Sequence, residues 1–262
     1  MKKINVAVLC QNDVFVLPKN VKLLFQINEI NIKTIVNIDH KGSLENKKLL
    51  FFRGFGFYQS LKLALLSTSY KFLNLIDYLL FFKLNFQKSI QSIAAVNSST
   101  YMVIDDPNKK IFIDWLKKNE IDLIISFSAP CIFKSELLEI PKLGCINLHC
   151  SLLPKYAGLL PSFWTLYHDE KKIGATVHYM DTKIDNGPIL DQVEINNIGK
   201  PSMFSVINAT KKAGGILMVN SVKKIINGNL TVKPNNAEES QYYTWPTLNE
   251  IKKFRSKGGK LI

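Results

Sequence analysis

The chain has 262 residues, 47% of them hydrophobic, with 34 basic side chains against 21 acidic ones. That is enough apolar material for one large domain, or a domain with a small appendage. The net charge of +13 suits nucleic acid, anionic lipid or a phosphorylated substrate. The lysines are scattered among frequent asparagines and isoleucines, so composition bias is the simpler account, with a phosphate-bearing substrate as a modest addition.

The first residues enter a strand pattern at once, too short an apolar stretch for a signal peptide. Residues 4–10 read as a buried parallel strand, 18–29 as a helix with proline in its first turn, and 32–38 as a second strand. Strand, helix, strand at this spacing predicts a βαβ unit of a Rossmann-like, doubly wound α/β sheet with helices on both faces. No Gly-x-Gly-x-x-Gly follows the first strand, where the loop reads Gln11-Asn12-Asp13-Val14, which argues against a dinucleotide site.

Residues 51–95 are rich in Phe, Leu and Tyr and predict two helices, 58–66 and 70–84, packed on the sheet. A sharper reading makes Phe51, Phe52, Phe55, Phe57, Phe81 and Phe82 a dimer or membrane-surface contact. The apolar region 61–84 is broken by Lys62, Lys71, Asp77 and Lys83 and is no transmembrane span. Strands follow at 101–105 and 121–127 around a helix at 108–118. Further strands at 174–181 and 189–195 and a long helix at 203–227 complete the domain, leaving a short C-terminal helix and tail. The tail's Trp245-Pro246 reads as an anchor packed on the domain, with base stacking as its functional rival.

Four cysteines, Cys10, Cys131, Cys145 and Cys150, form no Cys-x-x-Cys and sit in or beside apolar runs, as buried reduced thiols of a cytosolic protein do. His40 and His168 have no partners in sequence and read as surface residues. His149 and Asp185 lack a further ligand at metal spacing, so no metal is expected.

The chemistry concentrates between Cys145 and Gln192. In the run Cys145-Ile146-Asn147-Leu148-His149-Cys150, alternation puts Asn147 and His149 on one face. Asp185 follows in the loop Asp185-Asn186-Gly187-Pro188. An amide, an imidazole and a carboxylate at strand ends suit acyl transfer to a nucleophile that the substrate brings.

The pattern Asn147-Leu148-His149-Cys150-Ser151-Leu152-Leu153-Pro154, with Asp185-Asn186-Gly187-Pro188-Ile189 beyond it, resembles the signature of the formyltetrahydrofolate-dependent formyltransferases. These include the glycinamide ribonucleotide, methionyl-tRNA and nucleotide-amino-sugar enzymes. The resemblance is clearest over residues 121–192. It implies catalytic roles for Asn147, His149 and Asp185, support from His178 and Ser151, and 10-formyltetrahydrofolate as co-substrate. Phe127, Ala129, Ile132, Asp181 and Ile184 would line the folate pocket. The family's usual arginine is Ala157 here, which puts its acceptor contact in doubt.

The expected domains are a catalytic unit over 1–228 and a tail over 229–262. The expected acceptor is a small, phosphorylated molecule bearing a primary amine, by elimination a nucleotide-linked amino sugar used in surface-polysaccharide synthesis. Methionyl-tRNA is disfavoured because only about 70 residues follow Gln192, and glycinamide ribonucleotide because segment 51–95 is extra. A non-catalytic folate- or partner-binding relative is the other class, and nucleic-acid binding by the tail a third. A cytoplasmic location is expected, and a homodimer is left open.

Overall fold

The computed structural model describes residues 3–39, 44–81, 83–84, 89–197, 199, 201–236 and 241–262, with only the backbone of 44–47. The expectations for His40 and Phe82 fall outside these residues.

The chain opens with β1 (Ile4–Cys10), α1 (Leu17–Leu24) and β2 (Ile30–Ile38). Then come α2 (Leu44–Phe55), α3 (Phe57–Leu79), α4 (Ile90–Val96), β3 (Thr100–Ile104), α5 (Lys110–Lys118) and β4 (Leu123–Phe127). The second half holds α6 (Ser135–Leu138), β5 (Cys145–His149), β6 (Ala157–Gly158), α7 (Pro161–Tyr167), β7 (Lys172–Tyr179), β8 (Ile189–Asn196), α8 (Met203–Ile226), β9 (Tyr242–Tyr243) and α9 (Leu248–Ser256).

The main sheet has the order β3-β2-β1-β4-β5-β7-β8. Its first five strands run parallel, while β7 is antiparallel to both β5 and β8. The fold is therefore a doubly wound, mostly parallel α/β sheet. Strand alternation feeds two cores. Val6, Val8 and Cys10 pack against Val21 and Leu24 of α1 and Met218 and Val222 of α8. Ala7 and Leu9 point the other way, onto Phe112, Ile113 and Leu116 of α5. The chain leaves β1 toward β2 on one side and returns to β4 on the other, so the order reverses between β1 and β4. Ligands of such sheets bind outside the carboxyl ends of the strands near that reversal.

The segment after β2 corrects two expectations. The break foreseen between 66 and 70 does not occur, and α3 runs through it unbroken. Thr68 Oγ1 donates to Ala64 O and Ser69 Oγ to Leu66 O, so these hydroxyls bond back into their own helix instead of ending it. Nor does α3 pack on the sheet: Asp77 is its one buried residue.

The C-terminal stretch returns to the body in three places. Lys233 bridges to Ile189 at the start of β8, β9 pairs in parallel with β6, and α9 lays Ile251 and Phe254 into an aromatic cluster with Phe55 and Phe163. Trp245 meets Phe51 edge-on, ring centroids 5.6 Å apart.

Candidate active site

Asn147 and His149 do share a face of β5, and the neighbouring strand completes the set. The antiparallel register of β5 and β7 places His178 directly opposite Asn147, and Asn147 Nδ2 lies 3.3 Å from His178 Nε2. His178 Nδ1 bonds the carbonyl of Tyr179 at 2.7 Å. With a neutral ring protonated on Nδ1, Nε2 accepts one N–H of Asn147 and the amide keeps its second; with a charged ring, Nε2 donates to Asp185 instead.

Asp185 sits between the two rings. Its Oδ2 lies 3.3 Å from His149 Nδ1, and its Oδ1 lies 3.5 Å from His178 Nε2. The other nitrogen of His149, Nε2, bonds the carbonyl of Tyr156 at 2.8 Å. Oδ2 of Asp185 also accepts the Gly158 N–H at 2.8 Å. Burial pushes the Asp185 carboxyl up, but the His149 charge, the His178 hydrogen bond and charge and the Gly158 N–H outweigh it and hold the pKa at about 2. Asp185 is thus a carboxylate at neutral pH, able to orient a ring or take a proton but not to start as an acid.

Around this core the loops are tied down. Ser151 Oγ donates to the Lys155 carbonyl at 2.8 Å, and Thr176 Oγ1 donates to the Ser151 carbonyl at 2.6 Å. Gln192 Nε2 reaches both Leu153 O and Thr176 Oγ1, at 2.7 and 3.0 Å. Ser151 thereby stabilises the turn whose Tyr156 carbonyl holds His149. Asp185 itself has φ 49°, and Asn235 of the C-terminal stretch grips its carbonyl through Nδ2 at 2.7 Å.

Two glycines permit this closeness. A Cβ on Gly158 (φ 101°) would stand 2.3 Å from the carbonyl of Tyr243, and one on Gly187 would stand 2.0 Å from that of Tyr179.

A cleft of about 260 Å³ opens beside the cluster. Ala129, Ile132, Met180 and Ile184 supply apolar walls, and Asn147, His178, Asp181 and Asp185 supply polar ones. Two buried oxygens of residues that line it, Ser126 Oγ and Asn147 Oδ1, have no partner among the described residues. Apolar walls with a few convergent polar groups suit a small molecule. His149 reaches Asp185 without lining this cleft, so the ring on the cleft is that of His178. Asp181 caps its own loop, accepting from Lys183 N and Asn186 Nδ2. The ring of Phe127 is not on this cleft: it is buried in the core and borders a small cavity with Asp13, Cys150 and Lys211.

Sequence reasoning missed Asn235 and Tyr242, which the C-terminal stretch brings to the site, and the half-buried Asp13–Lys211 ion pair. These contacts join residues far apart in the chain, and no local pattern announces them. Burial pushes the thiols up, Cys10 and Cys145 to about 12 and Cys131 to about 11. They are thiols at neutral pH, and none is a ready nucleophile. Among the described residues no group of three His, Cys, Asp or Glu side chains is placed to hold a metal ion, and no helix is long and apolar enough to cross a membrane.

A carboxylate held near pKa 2 predicts an acid limb. Its unfolded value is about 3.9, so the folded pKa is depressed. The stabilisation, about 2.6 kcal/mol for a shift of about two units, is present above about pH 4 and is lost as pH falls through about 2. Urea unfolding between pH 5 and pH 2 should show the wild type losing stability more steeply than Asp185→Asn. Parallel slopes would contradict the assignment.

Fold and site together define a doubly wound α/β protein with an amide and two imidazoles on β5 and β7 and a carboxylate from the loop after β7. Residues 93–222 match the formyl transferase family. The chain is 38% identical over 157 residues to a methionyl-tRNA formyltransferase of Clostridium perfringens, a match covering 59% of this chain and 49% of that protein. The chain thus matches about half the length of such curated relatives. Its fold is that of glycinamide ribonucleotide transformylase 1 from Symbiobacterium toebii, with a TM-score of 0.62 at 14% identity over 89% of this chain and 92% of the other. The N-formyltransferase of Helicobacter canadensis, solved with folinic acid and dTDP-3-aminofucose, superposes with a TM-score of 0.61 at 19% identity, over 96% of this chain and 79% of the other.

Proposed function

We propose that the protein is an N-formyltransferase that moves the formyl group of 10-formyltetrahydrofolate to a primary amine. The observation that carries this reading is the convergence of Asn147, His178 and Asp185 on one cleft, with His149 on the second oxygen of Asp185. The folate lies in that cleft, against Ala129, Ile132 and Ile184. The acceptor amine attacks the formyl carbon, forming the new C–N bond. The resulting oxyanion is stabilised by the free N–H of Asn147 together with an imidazole. The bond to the folate N10 then breaks, its electron pair stays on N10, and the proton lost by the amine passes to that nitrogen with Asp185 as the relay. Removing one oxyanion donor typically costs about a hundredfold or more, so Asn147→Ala should slow turnover by that factor while remaining folded.

The C-terminal stretch serves the same site. Asn235→Ala releases the carbonyl of Asp185, whose φ is left-handed. We expect a lower kcat with KM for folate little changed, read by steady-state assay. An unaltered kcat would leave Asn235 a purely structural residue.

The acceptor we propose is an amine on a nucleotide-linked sugar, as in the Helicobacter canadensis structure. The identity to methionyl-tRNA formyltransferases favours charged tRNA as the second reading. The test follows tetrahydrofolate release against thymidine- and uridine-diphosphate amino sugars, glycinamide ribonucleotide and methionyl-tRNA. Release with one amino sugar supports the first reading and release with tRNA alone the second. Absence of folate binding overturns both.

A further inference from the structure

We propose that the outer face of α3 is a docking surface for an anionic lipid bilayer. The helix is anchored along one side. Tyr70 sets its ring 5.4 Å from that of Phe15, Asp77 is buried, and Gln59 Oε1 accepts the N–H of Leu261. The opposite side carries Tyr58, Leu61, Leu65, Thr68, Phe72, Leu75 and Leu79, spaced by alternating steps of three and four residues, and every one is exposed. Tyr58 is 77% exposed, Leu65 63%, Phe72 61% and Leu79 64%. This is a continuous apolar stripe on a helix of 23 residues, about 34 Å long at 1.5 Å per residue. It faces away from the protein's own core. Monomeric proteins rarely leave so large a patch uncovered without a use.

Charge selects the occupant. At 3.6 residues per turn, Lys62 and Lys71 fall about 90° to either side of the stripe, and both are exposed. From residue 46 to residue 104 the sequence holds a single acid, Asp77, against seven basic residues. A face of Leu, Phe and Tyr bordered by lysines on both sides is the composition of a helix lying in the plane of a bilayer surface. Its apolar side chains enter the acyl boundary and its ammonium groups reach lipid phosphates. A second copy of this chain fits less well, because it would bring the same basic borders and the same net positive charge against its twin. The location on α3 is separate from the catalytic cluster, so the proposal stands or falls independently of the acceptor.

The test is flotation of the full chain with vesicles of phosphatidylcholine alone and with vesicles containing about one third phosphatidylglycerol. The expected result is binding to the anionic vesicles only, weakened by high salt. Leu65→Glu with Phe72→Glu should reduce that binding by at least about tenfold. Lys62→Glu with Lys71→Glu should reduce it severalfold. All four positions are exposed, and circular dichroism with thermal unfolding should show both double variants folded. No binding to either vesicle, or binding unmoved by the α3 variants, overturns the proposal. So does a concentration-dependent dimer in sedimentation that is lost in the Leu65→Glu, Phe72→Glu variant while vesicles are ignored. That outcome would assign the face to a second copy.

Discussion

Asp185→Asn should reduce formyl transfer by about two to four orders of magnitude, the usual worth of a positioned acid or base, while leaving the protein folded at neutral pH. The replacement keeps the shape and one oxygen. It removes the charge that stands 3.3 Å from His149 and 3.5 Å from His178, and it removes the group proposed to relay the amine proton. The Gly158 N–H still finds a carbonyl-type acceptor if the amide presents its oxygen there, so the loop keeps its hold. The variant should bind folate with nearly unchanged affinity, because the apolar walls of the cleft are untouched. Single-turnover measurement of tetrahydrofolate release separates the two effects. A variant that binds folate normally and still turns over within about tenfold of wild type would remove Asp185 from the proton path.

Much of the sheet was legible because its strands are short β-branched runs with two buried faces. Residues 4–10 of β1 and 121–127 around β4 are of this kind. The sharing of a face by Asn147 and His149 follows from the two-residue period of a strand and needs no tertiary knowledge. The place of His178 does not follow that way. It depends on β7 running antiparallel to β5, a reversal that the run of residues 172–179 does not encode by itself. The expected break between 66 and 70 misled for a local reason, since Ser67-Thr68-Ser69 looks like a break when its hydroxyls are free to bond outward. The contribution of Asn235 was invisible because it lies 50 residues beyond the carbonyl it holds. Tyr242 reaches the cleft through a two-residue parallel pairing with Ala157 and Gly158, which carries no periodic signal at all.

The second large effect concerns the two histidines taken together. His149→Ala and His178→Ala should each cost about a hundredfold or more, but the double variant should be little worse than the poorer single one. Both rings act on the same carboxylate, one on each oxygen, and residues that work as a unit lose their function at the first deletion. His178 also holds Asn147 at 3.3 Å, so His178→Ala loosens the amide proposed to stabilise the oxyanion. His149→Ala instead frees the carbonyl of Tyr156 and unties Asp185 from β5. The two variants should therefore differ in one readout. His178→Ala, whose ring lines the cleft, should weaken folate binding more than His149→Ala, whose ring does not. Multiplying losses, about ten-thousandfold in the double variant if each single costs about a hundredfold, would mean that the rings act at separate steps. One of them would then serve the acceptor side, and Asp185 would link two independent proton donors instead of anchoring a single cluster.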